Sequence, residues 1–430
     1  MPEPTEARDT PVAVRRYTLA VLAVVYMFNF VDRQILAILL PAIRDEFRVG
    51  DTVLGLLAGP AFAIFYVTLG LPVAHLADRV NRRNLIAAAV AVWSAMTALS
   101  GLAANVWQLA LARIGVGVGE AGCNPSAYSI IADLYPPEHR SSAMGLYTLG
   151  ISAGIMLAYL GGGWMAQTIG WREAFFVVGI PGLALAAIVR LTLVEPGRGR
   201  SEARADSGRQ PTFGQVLQFL AGRPSFAWIS LGAGLCSFVG YSVIIFLPSF
   251  VDRSFELQLA SVGLWLGLIY GVAGGAGFVA GGWLADRIGR GGHRRALRFI
   301  GFVVAATAAL YAGVFLARSA VLCLALYAIP AATANFYLAP VLGHTQSLVS
   351  LRMRAVASAV LLLVVNVLGL GVGPLVTGIV SDRLAPYAGV EAMRYSLLIV
   401  SVAVLPVAAW CFLRAGDSIE SDLARAREQD

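Results

Sequence analysis

Ala74–Arg83 reads AHLADRVNRR, and Gly282–Gly291, 208 residues further on, reads GWLADRIGRG. Each follows a long apolar run and, past a short basic stretch, leads into another. A loop written twice at such a separation implies two homologous halves, each built from several apolar segments. The composition suits lipid rather than water. Of 430 residues 58% are hydrophobic and 13% charged, with a mean hydropathy of +0.74, whereas a soluble domain is roughly a quarter charged. The chain therefore reads as an all-α membrane protein.

A bilayer core takes ~20 apolar residues per helix. Twelve runs meet that scale, near 17–41, 52–76, 84–104, 107–134, 141–166 and 172–193, then 225–250, 259–285, 297–317, 319–346, 355–380 and 391–413. Glu195–Gln210 (EPGRGRSEARADSGRQ) separates the two sets and reads as a flexible linker. All 32 basic residues are arginine; 23 fall on the side of the termini, 7 on the opposite side and 2 within helices. That asymmetry puts both termini in the cytoplasm. The expected organisation is a cytoplasmic tail over 1–16, a six-helix bundle over 17–194, a linker over 195–224, a pseudo-symmetric second bundle over 225–414, and a cytoplasmic tail over 415–430. Within the linker, Phe213, Val216, Leu217 and Leu220 recur at helical spacing, as expected of a helix lying on the inner leaflet. Asp417–Arg427 alternates acids and arginines and reads as a short solvated helix.

Several function classes drop out. The net charge of +7 resides in short connectors, so it marks topology and not a nucleic-acid surface. Cys123, Cys236, Cys323 and Cys411 all lie in apolar runs without metal-ligand spacing, so no disulfide, metal or cofactor is expected. No nucleophile–base set or HExxH is present, which argues against an enzyme. His75 and His344, near helix ends, read as interfacial residues.

An ionisable side chain at membrane depth costs about 2.5–3.5 kcal/mol on insertion scales, so each is a functional candidate. Asp32 on the first span and Arg113 on the fourth fall at similar depth in the outer half. Glu120 lies seven residues beyond Arg113, two turns deeper on the same face. Arg113 suits a phosphate or carboxylate head group, and Asp32 is expected to pair with it when no anion is bound. Protonation of Asp32 or Glu120 would then free Arg113. The three are expected to share a water-accessible chamber between the bundles. Arg33, adjacent to Asp32 and turned to another side of the helix, is a packing, gate or cavity-lining residue. The second half supplies possible cavity lining in Tyr241, Asn335, Phe336 and Asn366, and no comparable intramembrane charge. Small residues at every fourth position of the fifth span (Gly150, Gly154, Ala158, Gly162) read as a close-packing stripe.

The two Asp-Arg segments resemble the signature loop of the major facilitator superfamily. The second copy is the cleaner, since the first has Ala74 and Asn81 where the second has Gly282 and Gly289. Tyr26–Phe47, Leu111–Tyr147 and Gly170–Gly182 further resemble the Spinster family, which is associated with lysophospholipids, sphingosine-1-phosphate and related amphiphiles, with proton coupling proposed for bacterial members. The superfamily resemblance implies a cytoplasmic gate of Asp78, Arg79, Arg82, Asp286, Arg287 and Arg290, with Arg140 and Arg354 as partners. The fifth-span stripe resembles the superfamily's antiporter motif, although Ile155 stands where that motif has proline. Together these readings imply a monomeric secondary transporter in a bacterial inner membrane. It would move an amphipathic lipid-like anion by alternating access, coupled to protons. The alternative is a polyspecific drug or small organic-anion exporter; a membrane receptor or lipid-modifying enzyme ranks below both.

Overall fold

The structure, a computed structural model, describes residues 11–77, 79–196, 212–277, 280, 287, 292–334, 336–350 and 353–427. All regular structure among them is helical. In the first half come α1 (Val12–Phe47), α2 (Asp51–Ala58), α3 (Pro60–Ala77), α4 (Arg82–Ser100), α5 (Val106–Glu120), α6 (Cys123–Leu134), α7 (Pro137–Thr168) and α8 (Trp171–Thr192). The linker carries α9 (Phe213–Ala221). The second half holds α10 (Pro224–Phe255), α11 (Leu259–Leu268), α12 (His293–Leu316), α13 (Ala320–Thr333), α14 (Leu338–Ser347), α15 (Arg354–Asn366), α16 (Gly373–Ala388) and α17 (Ala392–Arg427). A π-helical turn at Ile269–Gly274 extends α11, and another at Val367–Val372 joins α15 to α16. Ten helical stretches among the described residues are long and apolar enough to cross a membrane, one of them, Val356–Arg425, taking in two rods.

Local chemistry sets the breaks. Gly59 leaves helical geometry (φ −104°, ψ −95°) just before Pro60, whose missing N–H costs nothing in a first turn, so the second span is split into α2 and α3. The fourth span is interrupted at Ala121–Gly122, with Pro125 in the first turn of α6. Polar caps start other helices: Asn105 accepts from the N–H groups of Trp107 and Gln108 at 3.1 and 3.0 Å, and Thr212 and Gln215 form a reciprocal capping box on α9.

The main packing pairs are α1 with α7, α4 with α8, and α17 with both α10 and α12. The glycine stripe makes the first pair possible: Gly154 packs on the Met27 carbonyl and Gly150 on Ala23 and Met27 main chain. Contacts between halves concentrate at the end carrying the α1–α2 turn. There Tyr159 donates to the Ile244 carbonyl, Gln167 to Gln258 at 3.0 Å, and Gly163 meets Leu259 and Gly263. Along α7 these approaches continue through Met156 (to Gly267 and Gly271) as far as Ser152 (to Gly275); along α2–α3 they run from Gly55 to Ala63. Nearer the termini, a methyl group added at Gly70 or Gly145 would meet nothing within 4 Å. Among the described residues, the close approaches between the halves gather at the end opposite the termini.

Two expectations change. α1 reaches from Val12 to Phe47, beyond 17–41 at both ends. The C-terminal segment is not a separate solvated helix: α17 continues unbroken to Arg427, and Asp422 is fully buried. Its carboxylate accepts from the Ser225 N–H at 2.9 Å and hydroxyl at 2.6 Å, satisfying otherwise orphaned donors at the start of α10.

Candidate functional site

The intramembrane charges gather where α1, α3, α4 and α5 cross. Asp32, Arg113 and Glu120 are 0%, 1% and 1% exposed, and Arg33 is 9% exposed. Glycines on α5 make this burial possible. Gly117 lies on the Phe62 carbonyl of α3, and a Cβ on Gly119 would stand 2.7 Å from the Trp93 nitrogen of α4. Glu120 is the last residue of α5, directly before the break.

The pairing differs from the expected one. Glu120 Oε2 accepts from Arg33, at 2.5 Å from Nη2 and 3.2 Å from Nε. The Arg33 guanidinium also stacks over Phe30, Phe62 and Tyr66, with 5.2, 4.8 and 4.9 Å to the ring centroids. Tyr241, from α10 in the second half, faces it. Arg113 instead lies over Phe62 at 5.4 Å and donates at 3.3 Å to the main-chain carbonyl of Asp32, not to its carboxylate. The Asp32 carboxylate turns toward the Thr97 hydroxyl and the Trp93 indole on α4 and makes no ion pair with Arg113. Asn29 faces Glu120 in the same way.

Helix geometry explains the rearrangement. Neighbouring residues on a helix project about 100° apart, so Asp32 and Arg33 address different walls. Glu120 stands on the wall that Arg33 reaches. Nothing in the spacing within either helix reveals that choice, because the register of α5 on α1 is set by side-chain packing. The chamber expected around Asp32, Arg113 and Glu120 is correspondingly a sealed core. Arg33 is the charge at its edge, between the halves.

Of the other candidates, Phe336 is half-buried between α13 and α14, and Asn366 donates back to the Leu362 carbonyl of its own helix at 2.9 Å. Asn335, Asp78, Asp286 and Arg290 lie outside the described residues. Arg79, Arg287 and Arg354 are exposed at the terminal end, and Arg140 donates to the Ala132 carbonyl at 3.1 Å. Arg82 is buried and ties the start of α4 to α6 and to the start of the linker. It reaches Asp133 at 2.5 Å, Ser129 at 2.7 Å, Glu195 at 2.8 Å and the Pro196 carbonyl at 2.9 Å.

Residues 22–374 match the Major Facilitator Superfamily. The chain belongs to that superfamily. It is 34% identical to an MFS-type efflux pump of Mycolicibacterium smegmatis over 98% of this chain and 99% of that one. It is also 35% identical to human protein spinster homolog 1, over 55% of this chain and 46% of the relative. Among solved structures, a bacterial homologue of the human lysosomal transporter Spinster, in an inward-facing and unoccupied conformation, superimposes with a TM-score of 0.85 at 31% identity, covering 96% of this chain and 99% of that one. The same homologue, inward-facing and occupied, gives 0.83. The protein is thus a multi-pass membrane transporter of the Spinster type.

Proposed function

We propose that this transporter moves an amphipathic, lipid-like anion by alternating access between two pseudo-symmetric six-helix bundles, 17–194 and 225–414, and that protons drive it. The carrying observation is the Arg33–Glu120 pair at the border between the halves, roofed by Phe30, Phe62 and Tyr66 and faced by Tyr241. A forked cation beside aromatic rings suits an anionic head group with a hydrocarbon tail. Arg33 therefore takes the role of head-group ligand, and Arg113 supports it from the sealed core.

The cycle follows from charge balance. With Glu120 ionised, Arg33 is occupied. A proton on Glu120 releases the guanidinium for a substrate anion, and departure of the anion lets Glu120 ionise and recapture it. Asp32, fully buried and facing only the neutral Thr97 hydroxyl and Trp93 indole with its carboxylate, is a second acid suited to carrying a proton. The arginine distribution supports cytoplasmic termini in a bacterial inner membrane. On that orientation the end where the halves are packed together faces outward, in keeping with the inward-facing relatives. Residues 195–224 then form a cytoplasmic linker with α9 on the inner leaflet, its Val216 and Leu220 buried and Phe213 and Leu217 exposed. The cytoplasmic gate of Asp78, Arg79, Arg82, Asp286, Arg287, Arg290, Arg140 and Arg354 remains part of the proposal, with Arg82 tied to Asp133 on α6 and to Glu195 at the start of the linker.

The test is transport of a labelled lysophospholipid in proteoliposomes with and without an imposed pH gradient. Wild type is expected to respond to the gradient. Asp32→Asn and Glu120→Gln are expected to lose that response, and Arg33→Ala to lose transport altogether. Equal gradient-driven transport in all four would refute the coupling scheme. The full-length efflux-pump relative supports a second reading, a polyspecific exporter. Under it, lipophilic cations and small organic anions would be extruded as well as the lysolipid.

A further inference from the structure

α2 begins where the halves meet, and its first turn is held from the other half. The N–H groups of Asp51 and Thr52 donate, each at 2.8 Å, to separate oxygens of Asp382 on α16. The Asp51 carboxylate, itself buried, accepts from Arg253 of α10 at 2.7 and 2.8 Å and from the Ser381 hydroxyl at 2.6 Å; Arg44 stands 3.8 Å away. An anion at a helix N-terminus satisfies free N–H groups and complements the helix dipole. Here that anion comes from the opposite half.

The sequence at this place repeats a pattern already met. Gly378–Arg383 reads GIVSDR, with a small residue four before the aspartate, Ser or Ala directly before it, and arginine after. AHLADR (74–79) and GWLADR (282–287) have the same order. Those two lie at the terminal end, before α4 and α12, whereas GIVSDR lies at the closed end. Gly378 packs directly on the Asp51 carbonyl, leaving no space for a side chain.

We propose that Gly378–Arg383, within α16, is a third segment of this pattern, acting as the latch that holds the end opposite the termini shut and must release for that end to open. What the release accomplishes rests on the alternating-access reading; the latch itself does not depend on any substrate. Gly50 offers an independent handle. Its backbone (φ −77°, ψ 168°) is open to any residue, but a Cβ would stand 2.6 Å from Asp382 Oδ2. Gly50→Ala therefore attacks the same contact from the other side.

The experiment measures the distance between spin labels at Trp107→Cys and Val390→Cys, exposed positions of opposite halves near the closed end, after replacement of the four native cysteines. Measurements are made on the full chain in lipid nanodiscs without substrate. The parent should give one short distance. Asp382→Ala and Gly50→Ala should each raise the ratio of long to short distances roughly tenfold, the scale of losing a helix cap. The double variant should exceed neither single by much, since both break one contact. A second label pair, at His139→Cys and Ser347→Cys, exposed positions at the terminal end, should shorten in parallel. Should Asp382→Ala fail to fold, Gly50→Ala alone decides. Unchanged distances in the variants, or effects that multiply in the double, would overturn the latch. A lipid-transport failure would leave this readout untouched.

Discussion

The first half buries two arginines and two carboxylates where α1, α3, α4 and α5 cross, and the second half fills its interior with tyrosines. Tyr270, on the π turn after α11, hydrogen-bonds Tyr327 of α13, while Tyr311 stacks beside Phe315 and Tyr159 reaches in from α7. Both halves bury polar atoms, but with opposite consequences. A phenol can pair with another phenol and stay neutral, so the tyrosine cluster is a fixed wall. A charged cluster in lipid needs partners for each charge, and here Arg33 has one while Asp32 has none. Unequal satisfaction is what permits a change of state. Both halves leave some buried polar atoms unmet, but the buried acids of the membrane interior, Asp32 and Glu120, belong to the first half, which is where the proposed exchange of a proton for an anion is placed.

Breaking the ion pair should give the largest effect. Glu120→Ala leaves Arg33 desolvated and unpaired, at a cost of about 3–5 kcal/mol for a buried pair broken from one side. The expected result is a strongly lowered melting temperature in detergent together with lost transport. Replacing both partners, as Arg33→Met with Glu120→Met, should recover most of the stability and none of the transport. A Glu120→Ala protein that melts like wild type would mean that the pair does not hold these helices.

A smaller effect isolates packing from charge. Gly119→Ala forces a methyl group onto the Trp93 backbone and should cost about 1–3 kcal/mol as α5 is pushed from α4. The control is Gly240→Ala on α10, where nothing lies within 4 Å of the new carbon. That change should stay within about 0.5 kcal/mol. Equal melting shifts in the two variants would remove the claim that tight α5 packing creates the sealed site.

The duplicated loop, the apolar runs and the rare intramembrane charges were legible because each is a local property of the chain. Asp32, Arg113 and Glu120 could be singled out that way, and they do lie together. Their pairing could not be read. Whether Arg33 or Arg113 meets Glu120 depends on how α5 seats against α1 and α3, which Gly117 and Gly119 decide through contacts far apart in sequence. Asp422 was misread for the same reason. Its neighbours alternate in charge like a solvated tail, and only the return of α17 to the start of α10 buries it. The third Asp-Arg segment, GIVSDR, is equally present in the sequence, but its partner on α2 lies 331 residues away at Asp51, so nothing local reveals its role.

The smallest effect tests the quiet side of the comparison. Tyr327→Phe removes one hydroxyl and leaves the Tyr270 hydroxyl buried without its partner, for about 1 kcal/mol. Removing both hydroxyls, as Tyr270→Phe with Tyr327→Phe, takes away the orphan as well and should restore part of that loss. Transport and its pH response should stay near wild type throughout, because no charge has changed. A double-mutant cycle on melting temperature, run beside the proteoliposome assay, measures both. If Tyr327→Phe instead abolished the pH response while the protein remained folded, the tyrosine wall would belong to the coupling machinery, and the division of labour between the halves would fail.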